Sequence, residues 1–257
     1  MMNAGDTNEF YIGWQAKASH NIGAHVRNTV AGLLIFVVVA AIGFALAQRT
    51  IGAAVFEWGT LKTFRGFLKA SPYPHLLVRR PGPKGGQSAY YLVAPFKFGL
   101  KEQTVKALDG KEVTLKGTLI YRGSQTMVEA QPDSLKTVST AAAPSGESNV
   151  VNLGRQTLVG EIVDSKCYLG VMNPGRLAPH RGCAVRCISG GIPPILLVRQ
   201  EVGPPLYFLL VSNDGRPVNK QVLDMVAEPV QITGEVVQQG ELAIFRADPS
   251  TYKRTGK

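Results

Sequence analysis

Cys167, His180, Cys183 and Cys187 crowd into one short stretch of a 257-residue chain that has three cysteines and four histidines in all. The segment reads C-YLGVMNPGRLAP-H-RG-C-AVR-C and runs directly into ISGGIPP. Three thiolates and one imidazole make a complete tetrahedral ligand set for Zn²⁺. The same softness suits Cu(I), with Met172 as a further thioether donor. An iron–sulfur cluster ranks behind both metals, because the spacing matches none of the usual cluster motifs. On a helical turn, His180, Cys183 and Cys187 would share one face, and Cys167 would close the set from a preceding strand end.

Other chemistry fits the same residues. In an oxidising compartment Cys167 could pair with Cys183 or Cys187 and staple the loop, leaving one thiol over. Redox-active thiols are the third reading. Spacing alone assigns no connectivity, so disulfide, metal and redox thiol stay open, in that order. Asp164 and Lys166 flank Cys167 and read as solvated turn residues, with Asp164-Ser165 able to form a turn or cap. Gly190-Gly191-Ile192-Pro193-Pro194 reads as a stiff exit from the loop. The chain has no G-x-S-x-G, H-E-x-x-H or C-x-x-C-H motif, which weakens the case for an enzyme without closing it.

An internal repeat shows what must hold this loop. VTLKGTLI (113–120) matches VQITGEVV (230–237) with Gly117 on Gly234, a constant offset of 117 residues. The same offset sets Tyr90–Val93 on Tyr207–Leu210, and Phe64–Leu68 resembles Leu158–Ile162. Leu76–Arg79 likewise resembles Leu196–Arg199. Both glycine-centred segments alternate apolar and polar residues, the pattern of a half-buried strand. Short helical pieces are expected at Lys101–Leu108 and Val218–Val226. The fold class is therefore mainly β: two tandem small OB-like β-barrel modules, 56–136 and 151–257, joined by a linker at 137–150. Only the second copy carries the Cys/His insertion, residues 164–194, so the first copy is an internal control for what the barrel itself needs.

Residues 29–48 hold no charged side chain, and about twenty helical residues cross the ~30 Å hydrocarbon layer. A transmembrane helix is expected there, following a tail at 1–28 whose Phe10, Tyr11 and Trp14 suit an interfacial or partner-docking segment. A cleaved leader ending near Ala45-Leu46-Ala47 is the rival, although the apolar run is long for one. A short tail before a large domain places that domain outside, so the expected localisation is a single-pass cell-membrane protein with periplasmic or extracytoplasmic modules. The net charge of +10 is scattered rather than clustered, so nucleic acid is not an expected partner. The expected partners are integral-membrane subunits and the lipid bilayer. The functional expectation is a non-catalytic subunit or assembly factor of a membrane oxidoreductase, whose Cys3His loop binds a metal, zinc or copper, or is disulfide-linked. The alternatives are an OB-like module for oligosaccharide or nucleic acid, and a thiol–disulfide redox protein.

Overall fold

A computed structural model describes residues 18–48, 54–79, 87–142 and 150–256. The aromatic tail and the middle of the expected linker lie outside the described residues. The chain divides into two compact units, Met1–Gly52 and Ala53–Lys257.

The first unit contains α1, His20–Gln48. It starts well before the charge-free run because His20, His25 and Arg27 are compatible with helix, so the helix outlasts the apolar segment at its N-terminal end. Among the described residues it is the one helix long and apolar enough to cross a bilayer, over His20–Ala47. Leu33, Leu34, Ile35 and Phe36 along it are all exposed. A helix apolar on every side has no polar face to give to water, which fits a lipid-facing span.

The second unit is mainly β. Its first barrel closes in the order β5 (Lys111–Arg122), β2 (Lys62–Lys69), β3 (His75–Arg79), β4 (Gln87–Val93), β6 (Gln125–Ala130), and β6 returns to β5. The second closes as β11 (Pro229–Gln239), β8 (Val150–Asp164), β9 (Pro194–Val198), β10 (Leu206–Val211), β12 (Leu242–Arg246), back to β11. In both, the third and fifth strands pair in parallel and the other pairs are antiparallel. These are two closed five-stranded OB-like barrels. Strands β1 (Ala54–Phe56) and β7 (Lys136–Ala142) add to β5, and β13 (Lys253–Arg254) adds to β11. The beginning of the expected linker is therefore strand β7. Of the two helical pieces expected, α2 forms at Glu102–Ala107, while the second is a single 3-10 turn at Leu223–Met225.

The repeat is carried in the strand register. Gly66 pairs with Val113 as Gly160 pairs with Val230, and Lys62 faces Gly117 as Gln156 faces Gly234. A Cβ on Gly117 would stand 2.7 Å from the Glu129 carbonyl oxygen, and one on Gly234 would meet the Arg246 carbonyl. Only glycine lets the closing strand approach that near. One alignment needs correction. Tyr90 and Phe208 occupy the same place, opposite Leu76 and Leu196. The offset in this strand is thus 118, and Tyr91 corresponds to Leu209. A slip of one residue exchanges the faces of a strand. Tyr90 packs on the core of its own barrel, whereas Tyr91 belongs to a third core between the barrels.

That third core is built by equivalent positions of the two copies. Tyr91, Val93, Ile120 and Met127 from the first meet Leu209, Val211, Val237 and Ile244 from the second. The Tyr73 hydroxyl ties the seam by donating to the Leu210 carbonyl (3.3 Å) and accepting from the Val218 amide (3.1 Å). Next to it, buried His75 places Nδ1 2.8 Å from the Tyr73 carbonyl. Burial holds its pKa below the ordinary 6.5, against the opposing effect of that hydrogen bond. The unfolded chain then takes up a proton before the folded one does, so stability falls as pH drops below about 6.5 and through the depressed folded value. Urea unfolding of the wild type and a His75→Gln variant between pH 7.5 and 5.5 checks this. The wild type should lose more stability over that range, and parallel curves would exclude His75 as the group responsible.

Candidate metal centre

The joint between the first two strands is five residues in the first barrel, 70–74, and 165–193 in the second. The inserted chain makes a π-helical turn at Cys167–Val171, a 3-10 turn at Ala178–His180 and helix α3 at Arg181–Ser189. Ala184, one residue after Cys183, and Ile188, one residue after Cys187, give α3 an inward face, on which Ala184, Cys187 and Ile188 are buried. The i, i+4 spacing brings Cys183 and Cys187 to the same side. Cys167 faces them from the π-helical turn, its Sγ 3.8 Å from that of Cys183 and 4.0 Å from that of Cys187. All three cysteines are free thiols, so the stapled loop expected first is not formed. Bonds of ~2.3 Å to a tetrahedral zinc separate its sulfurs by about 3.8 Å. The observed separations are about twice a disulfide bond length and leave the sulfurs close enough to hold a metal ion.

The donor atoms of Cys167, His180 and Cys183 all lie within 4.8 Å of one another, as do those of Asp164, Cys167 and Cys187. The four predicted residues are thus brought together as two overlapping triples that share Cys167, and a fifth donor joins them. Asp164, read from sequence as a solvated turn residue, is 0% exposed. Its Oδ1 accepts the Cys167 amide at 2.8 Å, so the expected turn does form. Its Oδ2 lies 3.0 Å from His180 Nε2. A carboxylate holding one ring nitrogen fixes the tautomer and leaves Nδ1 as the donor, the usual support of a metal-bound histidine. Met172, the further thioether donor expected for copper, is exposed.

Two lysines complete the surroundings, and sequence reading missed the role of both. Lys166, also read as solvated, is 2% exposed. It donates to the carbonyls of Ala94 (3.0 Å) and Phe96 (2.6 Å) and pairs with Glu129 at 2.5 Å. Lys97 comes from the first barrel and donates to Cys183 Sγ at 2.7 Å, with Cys187 Sγ at 3.7 Å. The hydrogen bond to Cys183, then the charges of the thiolates, hold its pKa above the ordinary lysine value. Within the cluster the Cys167–Cys187 hydrogen bond is the main cause of both thiol shifts. It holds Cys187 below the usual thiol range and raises Cys167. Cys167, Cys187 and His180 are buried, and only Cys183 is partly open. A Cys–His–Asp constellation of this kind would need a substrate to reach it. Burial of the histidine and of two thiols favours holding an ion over attacking a substrate.

No protein-family model matches this chain, and no curated protein matches it. Among solved structures it is similar to a deletion mutant of the single-stranded DNA binding protein from Thermus aquaticus, at 12% identity and a TM-score of 0.23. The match covers 80% of this chain and 89% of that one. The OB-like assignment rests on the strand order above.

Proposed function

We propose that this chain is a membrane-anchored, non-catalytic subunit or assembly factor of a membrane oxidoreductase complex, in which paired OB-like barrels carry a Cys3His metal site. The observation that carries the reading is the convergence of three free thiols and a carboxylate-held histidine in a loop the sister barrel lacks. The apolar helix supplies the anchor and a surface for integral-membrane partners, with the barrels on the extracytoplasmic side. The buried donors suit storage or presentation of an ion better than turnover of a substrate.

Metal content and thiol counting on the detergent-purified full chain test this. About one equivalent of metal is expected, with affinity falling more than ~100-fold in Cys183→Ser, beyond the usual effect of losing an outer-sphere partner. Membrane partners should co-purify and be lost when residues 29–48 are removed. A metal-free protein with stoichiometric reactive thiols would overturn the proposal. The OB-like strand order favours a second reading, a binding module for oligosaccharide or nucleic acid. It predicts that cysteine replacement leaves ligand affinity unchanged, with affinity for nucleic acid falling steeply with salt.

A further inference from the structure

Resting on the metal reading above, we infer that the ion is a zinc-class dication held at the seam between the barrels, with Lys97 of the first barrel closing its charge balance, so that occupancy latches the two barrels together.

The charge count sets the valence. Three coordinating thiolates and buried Asp164 bring four negative charges into a space with little water, and a neutral imidazole adds none. Lys97 returns one positive charge at 2.7 Å from Cys183. Nearby Lys166 is already matched by Glu129. A dication then leaves the site with one net negative charge, and a monovalent ion leaves two. Burying an unmatched charge is the larger penalty here, because the surrounding core is apolar. Two of the three sulfur pairs, both involving Cys167, stand at 3.8 and 4.0 Å, close to the spacing of tetrahedral thiolate about zinc.

The seam location follows from what touches the site. The turn of the first barrel at Ala94–Gly99 is seated on the insertion at three points. The Gly99 amide donates to the Gly190 carbonyl at 2.9 Å, Lys166 binds the carbonyls of Ala94 and Phe96, and Lys97 reaches the thiols. Cys167 and Cys187 are themselves part of the inter-barrel core. A metal takes cysteine as the deprotonated thiolate, so without the ion the turn that carries Lys97 loses the counter-charge it faces at Cys183.

The test uses the full chain in detergent, stripped of metal and titrated with Zn²⁺ or with Cu⁺ under a competing chelator, followed by calorimetric unfolding. One equivalent of Zn²⁺ is expected, with a single unfolding transition that chelation separates into two. Lys97→Met should weaken Zn²⁺ binding about 10-fold, within the range for partners outside the coordination sphere. Lys97→Arg, which keeps the charge, should recover most of it. Absence of bound metal in the wild type would overturn the metal reading and this inference with it. Binding of Zn²⁺ that is indifferent to Lys97→Met, or a single transition unchanged by chelation, would overturn the latch alone. Stoichiometric Cu⁺ with no Zn²⁺ would overturn the dication.

Discussion

Lys166→Met is expected to destabilise the barrel unit by about 3–5 kcal/mol, the usual consequence of removing one partner of a buried ion pair. Lys166 is among the most completely buried side chains of the protein, at 2% exposure, and its ammonium has three partners. Methionine fills nearly the same volume, so little of the loss would come from a cavity. The loss comes from what remains: a Glu129 carboxylate with no counter-charge, and the carbonyls of Ala94 and Phe96 without the donor they shared. Those carbonyls belong to the turn that also presents Lys97, so the damage should reach the thiol cluster from the barrel that contains no cysteine. Urea unfolding of the full chain measures the effect. The double variant Lys166→Met/Glu129→Leu removes the charge along with its partner and should recover a large part of the loss. A single variant within about 1 kcal/mol of wild type would mean that the pair is not buried as described.

The parts of this fold that could be read from sequence are those where a residue type answers to a local demand. Gly117 and Gly234 stand out because no side chain fits where the closing strand crosses, and that demand recurs in each copy. The one-residue slip in the third strand is not legible in sequence because Tyr-Tyr-Leu-Val and Tyr-Phe-Leu-Leu look alike in either alignment. Only the pairing with Leu76 and Leu196 decides it. The cysteines and His180 were legible as a set because they are rare residues close together. Asp164 and Lys166 were not, because charged residues beside a turn are ordinarily solvated. The partners that bury Lys166 are Ala94, Phe96 and Glu129, far away in the chain, and Asp164 faces His180, sixteen residues on. The one local signal was the placement of Asp164 three residues before Cys167, where its side chain receives the Cys167 amide. Lys97 gave no signal, since it sits in the other barrel and nothing about Phe-Lys-Phe suggests a thiol partner.

The seating of the insertion on the first barrel can be tested with one substitution made at two glycines of the same short segment. Gly182 lies within α3, is exposed, and has open space where a Cβ would go. Alanine there should stabilise the protein by about 0.5–1 kcal/mol, because it lowers the conformational entropy lost on forming helix. Gly190 caps the other end of α3 in ordinary helical conformation, so alanine meets no dihedral strain there. The obstacle is steric. Its Cβ would collide with the Lys97 carbonyl oxygen and lie 3.1 Å from the carbonyl carbon. Backbone cannot rotate aside as a side chain can, so either α3 or the Ala94–Gly99 turn must shift. Forcing an extra methyl into a packed seam costs about 1–3 kcal/mol, and the upper part of that range is expected here. The same shift carries Lys97 away from Cys183, so Gly190→Ala should also weaken Zn²⁺ binding while Gly182→Ala leaves it unchanged. Urea unfolding with a zinc titration of both variants reads the two effects together. Equal stability in the two variants would mean that the insertion does not rest on the first barrel. A Gly190→Ala protein that is destabilised yet binds Zn²⁺ as the wild type does would separate the seam from the site, and leave the second barrel holding the ion unaided.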